Sequence, residues 1–367
     1  MGFTKNVLLV TFVIAIIGFQ VSKGQPLVPI FCIFGDSVVD SGNNNGLYTI
    51  IKANFPPYGR DFVTHQPTGR FSNGKIATDF TVLKGVRCTE AMTAHCDEAQ
   101  GKSACHMYMR PRTIFGNKFL IGANFASAGS GYSERTANLY RAISLTQQLA
   151  YYKDYQSKIA KMVGNDKANA MFSGGIHLLS AGNNDYLQNY YVNPNLYRQY
   201  TADQLADSLM TSFSNFVQTL YGVGVRRIGV TSLPPMGCLP AAITLFGAGS
   251  NQCIDRLNRD ATSFNSKLNN CAQALQTNLP GLKLVVFDIY TPLLDMIAHP
   301  IDNGFFEARK ACCGTGTIET SLLCNARSVG TCSNATQYVF WDGFHPSEAA
   351  NQVLAGDLLT QGFPLIG

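Results

Sequence analysis

No low-complexity tract, no long run of like charge and no repeat of fixed period interrupts this sequence of 367 residues. Charged side chains make up only 14% of it, against 46% hydrophobic ones. That balance leaves enough apolar surface for a large buried core and excludes extensive disorder, while the missing repeat argues against a purely structural protein. No Pro/Ser-rich linker divides the chain, so residues 25–367 are expected to form a single domain. The early apolar run Val7–Phe19 is too short to cross a bilayer core of ~30 Å as a helix, and no later stretch is long and apolar enough to span. The net charge of +5 is scattered, which excludes a nucleic-acid partner and leaves at most a weak attraction to acidic polysaccharide.

What is present points to export. Lys5, the apolar run behind it and the small residues Ser22 and Gly24 read as a secretory signal peptide, residues 1–24, cleaved after Gly24. The 11 cysteines suit an oxidising compartment. Cys312, Cys313, Cys324 and Cys332 cluster in a Gly-rich stretch that reads as stapled, and Cys238 and Cys253 flank a loop that they can close. The odd count leaves at least one thiol free or paired between chains. Asn334-Ala335-Thr336 is the single Asn-x-Ser/Thr sequon, so Asn334 is the expected glycosylation site.

Four apolar, β-branched runs bounded by turn residues read as strands buried on both faces: Val28–Phe34, Gly175–Ser180, Arg227–Thr231 and Lys283–Ile289. Phe119–Phe125 supplies a fifth. Helical spacing runs through Leu145–Met162, Ala202–Tyr221 and Ile254–Gln276, and Ser347–Leu359 reads as a closing helix behind Pro346. The alternation predicts an α/β fold of three layers, α/β/α, around a mainly parallel five-stranded sheet. Ligands of such sheets bind at the carboxyl ends of the strands, so the loops that follow the strands should carry the chemistry.

Those loops hold the most unusual residues in the chain. After the first strand comes Gly35-Asp36-Ser37-Val38-Val39-Asp40-Ser41-Gly42-Asn43, and the Phe119–Phe125 run leads to Ala126-Ser127-Ala128-Gly129-Ser130-Gly131. The Gly175–Ser180 run leads to Gly182-Asn183-Asn184-Asp185, and near the C-terminus stands Trp341-Asp342-Gly343-Phe344-His345-Pro346. Taken singly, Asp-Ser after a strand is more often a helix cap, and Asn-Asn more often a turn. Four such blocks in one order are specific. Together they resemble the GDSL family of the SGNH hydrolases, in its plant esterase/lipase branch, with further matches at Pro57-Tyr58-Gly59, Gly69–Gly74 and Leu233–Cys238. Neither the Gly-x-Ser-x-Gly elbow nor His-Glu-x-x-His occurs.

The resemblance implies a SGNH/flavodoxin-like fold and hydrolysis of a carboxylic ester through an acyl-enzyme. Ser37 is then the nucleophile, His345 the general base and Asp342 its orienting carboxylate. The backbone N–H groups of Ser37 and Gly129 and the side-chain amide of Asn184 form the oxyanion hole, with Gly131 and Asn183 as rivals for the last two places. Ser41 and Ser130 lack the strand-to-turn setting of Ser37. No metal or organic cofactor is implied. The substrate is a small-molecule ester, a lipid or an acylated polysaccharide, met outside the cell or in the wall. An acyltransferase would use the same residues. The rival from another class is a secreted binding or defence protein that kept the scaffold and lost catalysis.

The resemblance breaks between residues 83 and 118. Members of the branch carry there a segment that borders the cleft, whereas this chain reads Cys88, His95, Cys96, Cys105 and His106 among polar residues. Their spacing matches no zinc pattern. The abrupt edges suit altered splicing or a shifted reading frame, with a divergent, disordered surface loop as the alternative; the break leads us to expect a less stable fold and a disturbed cleft wall.

Overall fold

The structure, a computed structural model, describes residues 28–85 and 120–367. The expected signal peptide, most of the divergent segment and its cysteines and histidines lie outside the described residues. Five short strands carry the fold: β1 (Phe31–Gly35), β2 (Gly122–Asn124), β3 (Ile176–Ser180), β4 (Arg227–Thr231) and β5 (Lys283–Phe287). All pair in parallel, in the order β2-β1-β3-β4-β5. The chain steps from β1 to one side and then back past it to β3. The topological switch point therefore lies between β1 and β3, where an open α/β sheet offers its crevice.

The helices are α1 (Ala77–Gly85), α2 (Glu134–Tyr140), α3 (Leu145–Val163), α4 (Asn165–Gly174), α5 (Pro194–Gln199), α6 (Ala202–Gly222), α7 (Pro240–Phe246), α8 (Asp255–Asn278), α9 (Tyr290–Ala298), α10 (Glu348–Gln361) and α11 (Phe363–Ile366). The pleat of the strands sorts them into two layers, because successive side chains point to opposite faces. Ile30, Cys32 and Phe34 face one side with Leu179, Ile228, Val230 and Leu284, against Tyr152 and Tyr155 of α3, Phe213 and Phe216 of α6 and Phe264 of α8. Phe31 and Ile33 face the other with Ile176, Leu178 and Phe287, against Ala77 of α1, Leu358 of α10 and Leu365 of α11. Both faces are covered, which is why the strands read as continuous apolar runs rather than alternating ones.

Side chains cap the starts of several of these helices. Ser144 accepts from the Gln147 N–H at the head of α3, Thr201 and Gln204 form a reciprocal capping box on α6, and Ser347 accepts from the Ala350 N–H at the head of α10. A second sheet went unanticipated: β6 (Glu307–Ala311) pairs in parallel with β7 (Tyr338–Phe340), apart from the central five strands. Its first strand reads Glu-Ala-Arg-Lys-Ala and has no apolar run, and its second, Tyr-Val-Phe, is too short for a measurable period. The expected staples resolve into Cys238–Cys253, Cys312–Cys332 and Cys313–Cys324. Among the described residues, Cys32 and Cys271 are outside any disulfide.

A polar residue sits in the middle of β3. His177 is fully buried, its Nε2 2.8 Å from the Tyr152 hydroxyl, and burial pushes its pKa down to about 4. The unfolded chain therefore binds a proton that the folded one refuses, and stability falls as pH drops from about 6.5 to about 4. Thermal unfolding of His177→Gln beside the parent checks this: the parent's Tm should fall across that window by a component that the variant lacks, a few degrees, and the two should run parallel above pH 7.

Candidate active site

Gly35 ends β1 with φ +135°, and a Cβ there would lie 1.9 Å from the carbonyl oxygen of Ser180 on β3. Only glycine permits that approach. The chain then turns out of the sheet, with the Asp36 N–H donating to Ser180 O at 3.0 Å, and presents Ser37 over the crevice. His345 and Asp342 arrive from the other sheet, on the turn after β7. The Ser37 hydroxyl lies 2.7 Å from His345 Nε2, and His345 Nδ1 lies 2.7 Å from Asp342 Oδ1. With the imidazole proton on Nδ1, Asp342 accepts it and Nε2 is free to accept from Ser37. All three residues are buried.

The offset of three between Asp342 and His345 has a visible cause. Asp342 Oδ1 also accepts the backbone N–H groups of Phe344 (3.0 Å) and His345 (2.9 Å), so the carboxylate closes its own turn while holding the ring. Its second oxygen accepts from the Tyr58 hydroxyl at 2.8 Å, and Tyr58 in turn accepts the Ser321 N–H at 2.8 Å. Phe71 packs on the His345 ring with centroids 4.8 Å apart, and Asn73 accepts the Glu348 N–H at the head of α10. Arg70, the residue before Phe71, is buried and holds Asp79 bidentately at 2.8 and 2.9 Å. The Pro57–Gly59 and Gly69–Gly74 matches thus brace the histidine rather than contribute reacting groups.

The remaining sequence-predicted residues converge on the same place. Gly129 adopts φ +86°, in a turn packed against Tyr140, and the Asn184 side-chain amide donates to Ser130 O at 2.8 Å. Asn184 thus lies against the Gly129 turn, at the start of the single π-helical turn Asp185–Tyr190. No described residue accepts the N–H of Ser37, Gly129 or Gly131, so all three donors stay available. Gly131 has a separate reason to be glycine: a Cβ there would lie 2.5 Å from the Asp185 carboxylate. Of the rival serines, Ser130 is fully buried beneath Gln148, and it is Ser37, not Ser41, that His345 Nε2 meets in a hydrogen bond.

The motifs did not single out the groups that hold these loops in place. Asp40 accepts from Gly42 N–H and Asn43 N–H at 2.7 Å and from Ala128 N–H at 3.0 Å, tying the Ser37 loop to the Gly129 loop. Asp185 accepts from Tyr132 N–H, Ser133 N–H and the Thr136 hydroxyl on the far side. Burial raises Asp36 to about 7 and Asp40 and Asp185 to about 6, against the opposing pull of the N–H groups they accept. Gln148 of α3 is fully buried; its Oε1 accepts the Gly35 N–H at 2.9 Å, and its Nε2 donates to Gly35 O (2.9 Å), Ile143 O (3.0 Å) and Ser130 Oγ (3.3 Å). A helical-face glutamine carries no sequence signal of such a role. Among the described residues no cluster of three or more potential metal ligands occurs.

Two substitutions test these supports. Gln148→Leu keeps the volume but strands the Gly35 N–H, while the Gly35 C=O keeps the Ser127 N–H at 3.0 Å, and it should lower kcat on a soluble ester by about 10–100-fold with KM little changed. Tyr58→Phe removes a hydrogen bond to the Asp342 carboxylate and leaves the Ser321 N–H without its acceptor, and should cost about tenfold or more in kcat together with a lowered Tm. Steady-state kinetics beside thermal unfolding separates loss of activity from loss of structure.

Comparison with known proteins bears on the same residues. The family described as GDSL-like Lipase/Acylhydrolase matches residues 31–358, which include every residue of this site. GDSL esterase/lipase At5g03820 of Arabidopsis thaliana is 60% identical over 363 residues, 98% of each chain. GDSL esterase/lipase APG of the same plant is 54% identical over 366 residues, 99% of each chain. The blocks singled out in the sequence, the crevice at the switch point and these matches agree: the chain belongs to the GDSL-like lipase/acylhydrolase family.

Proposed function

We propose that the protein is a secreted serine hydrolase that cleaves carboxylic esters through an acyl-enzyme. The observation that carries this reading is the unbroken hydrogen-bond chain from Asp342 through His345 to Ser37, set at the switch point of the sheet. Ser37 Oγ attacks the ester carbonyl carbon as its proton passes to His345 Nε2, and Asp342 stabilises the imidazolium that forms. The carbonyl oxygen becomes an oxyanion met by the N–H groups of Ser37 and Gly129 and by the Asn184 amide. Collapse expels the alcohol, which takes the proton from His345. Water then attacks the acyl-enzyme with His345 again as base, releasing the acid and restoring Ser37.

Export follows from the N-terminal signal at residues 1–24 and suits the three disulfides among the described residues. Residues 25–367 are then the mature domain. No helix among the described residues is long and apolar enough to cross a membrane. Asn334 is exposed and is the proposed glycosylation site. The substrates are lipid, short-acyl or acylated-polysaccharide esters.

Hydrolysis of p-nitrophenyl acetate and butyrate by secreted recombinant protein tests the reading. Turnover should vanish in Ser37→Ala, and Asn184→Ala should lose ~10²–10³ in kcat with KM little changed. Undiminished turnover in Ser37→Ala, or none in a well-folded parent, contradicts it.

A further inference from the structure

Two loops bring apolar side chains to the surface beside the catalytic chain. In the loop that follows Ser37, Tyr48 is 93% exposed and Ile50 63%. In the loop that leaves β6, Leu322 and Leu323 are 54% and 56% exposed and Val329 84%. Scattered exposed leucines need no explanation, but these are held out by a buried polar framework. Ser321, itself buried with φ +53°, places its hydroxyl 2.7 Å from Ile50 O and 2.8 Å from Lys52 O and accepts the Lys52 N–H at 2.9 Å. One side chain thus fastens the two loops together. The second loop is closed by Cys313–Cys324 and Cys312–Cys332, and Ser328 Oγ donates to Leu323 O at 2.7 Å.

The same framework runs into the active site. The Ser321 N–H donates to Tyr58, whose hydroxyl donates to Asp342. The first loop leaves the carboxyl end of β1, and the second leaves that of β6, beside the β7 turn that carries Asp342 and His345. The apolar side chains therefore sit at the end of the molecule where ester would enter.

Charge narrows the occupant. From Ser41 to Arg60 and from Ser321 to Cys332 there is no Asp or Glu, while Lys52 and Arg327 stand among the apolar residues. Neither cation has a salt-bridge partner among the described residues. Two copies of this patch facing each other would set like charges together, which disfavours an isologous self-contact. Apolar side chains flanked by Lys and Arg match the interface of an anionic lipid layer, where leucine, valine and tyrosine enter the headgroup–acyl boundary and the cations meet lipid phosphates.

We propose that Tyr48, Ile50, Leu322, Leu323 and Val329, with Lys52 and Arg327, dock the protein on an anionic lipid–water interface, from which the active site takes its ester. The docking surface rests on the ester-hydrolase reading only for its purpose; its binding can be read without turnover. The test is sedimentation of the full protein with phosphatidylcholine vesicles with and without phosphatidylglycerol, beside Tyr48→Ser/Leu322→Ser/Leu323→Ser and Lys52→Gln/Arg327→Gln. The parent should bind the phosphatidylglycerol vesicles more tightly, and less so as salt rises. The apolar variant should bind at least about tenfold more weakly, a loss of about 1.4 kcal/mol or more, and the charge variant should lose the preference for phosphatidylglycerol. Both variants should hydrolyse soluble p-nitrophenyl acetate as the parent does, which keeps a failure of docking distinct from a failure of catalysis. Parent protein that binds neither vesicle, or variants that bind as well as the parent, overturn the proposal. So does a parent dimer in analytical ultracentrifugation that the apolar substitutions dissociate, since the patch would then be a self-contact.

Discussion

Everything at the site depends on the missing Cβ of Gly35. Because nothing projects from that residue, β1 can end against Ser180 of β3 and turn out of the sheet within one residue. The turn sets Ser37 over the switch point, beside the loop of Asn184, which leaves the next strand. Gln148 then takes the Gly35 N–H, shares the Gly35 C=O with the Ser127 N–H, and reaches Ser130 in the Gly129 loop and Ile143 O at the head of α3. A larger residue at 35 would push the strands apart and tilt Ser37 and the proposed oxyanion donors together.

The partners of Ser37 come from a different piece of architecture. His345 and Asp342 stand on a turn after β7, in a sheet of two strands that shares no ladder with the central five. Their position over the crevice is fixed by side chains: Phe71 behind the imidazole, Tyr58 behind the carboxylate, and Asn73 at the head of α10. Two disulfides on the loops after β6 restrain the same region. The cost of this construction lies in the buried carboxylates. Asp36, Asp40 and Asp185 all hold their protons more tightly than exposed aspartates do, and their ionised forms depend on backbone N–H groups from the loops they fasten.

The central fold was legible because burial on both faces writes a continuous apolar run, and all five expected strands are present. Their ends shifted by a few residues: Val28 to Ile30 precede β1 rather than belong to it, and Ile289 caps α9 instead of extending β5. The four polar blocks were legible because polar and glycine-rich loops break the apolar pattern of the strands. The β6–β7 pair was not, since charged side chains and a strand of three residues erase any period. The supports were also hidden. Gln148 sits on a helix whose sequence reads as ordinary amphipathic helix, and Asp40 and Tyr58 were visible only as parts of motifs. Their partners are separated from them by 88 and 284 residues, a distance that a single sequence does not span.

The central claim is that the geometry around Ser37 makes that one hydroxyl a nucleophile. A fluorophosphonate probe followed by peptide mass spectrometry reads this directly, because only an activated serine facing oxyanion donors is phosphonylated quickly. The adduct should fall on the peptide that carries Ser37, be absent after denaturation, and be lost in His345→Ala. An adduct on Ser41 or Ser130 instead, or labelling of the folded protein no faster than of the denatured chain, would contradict it.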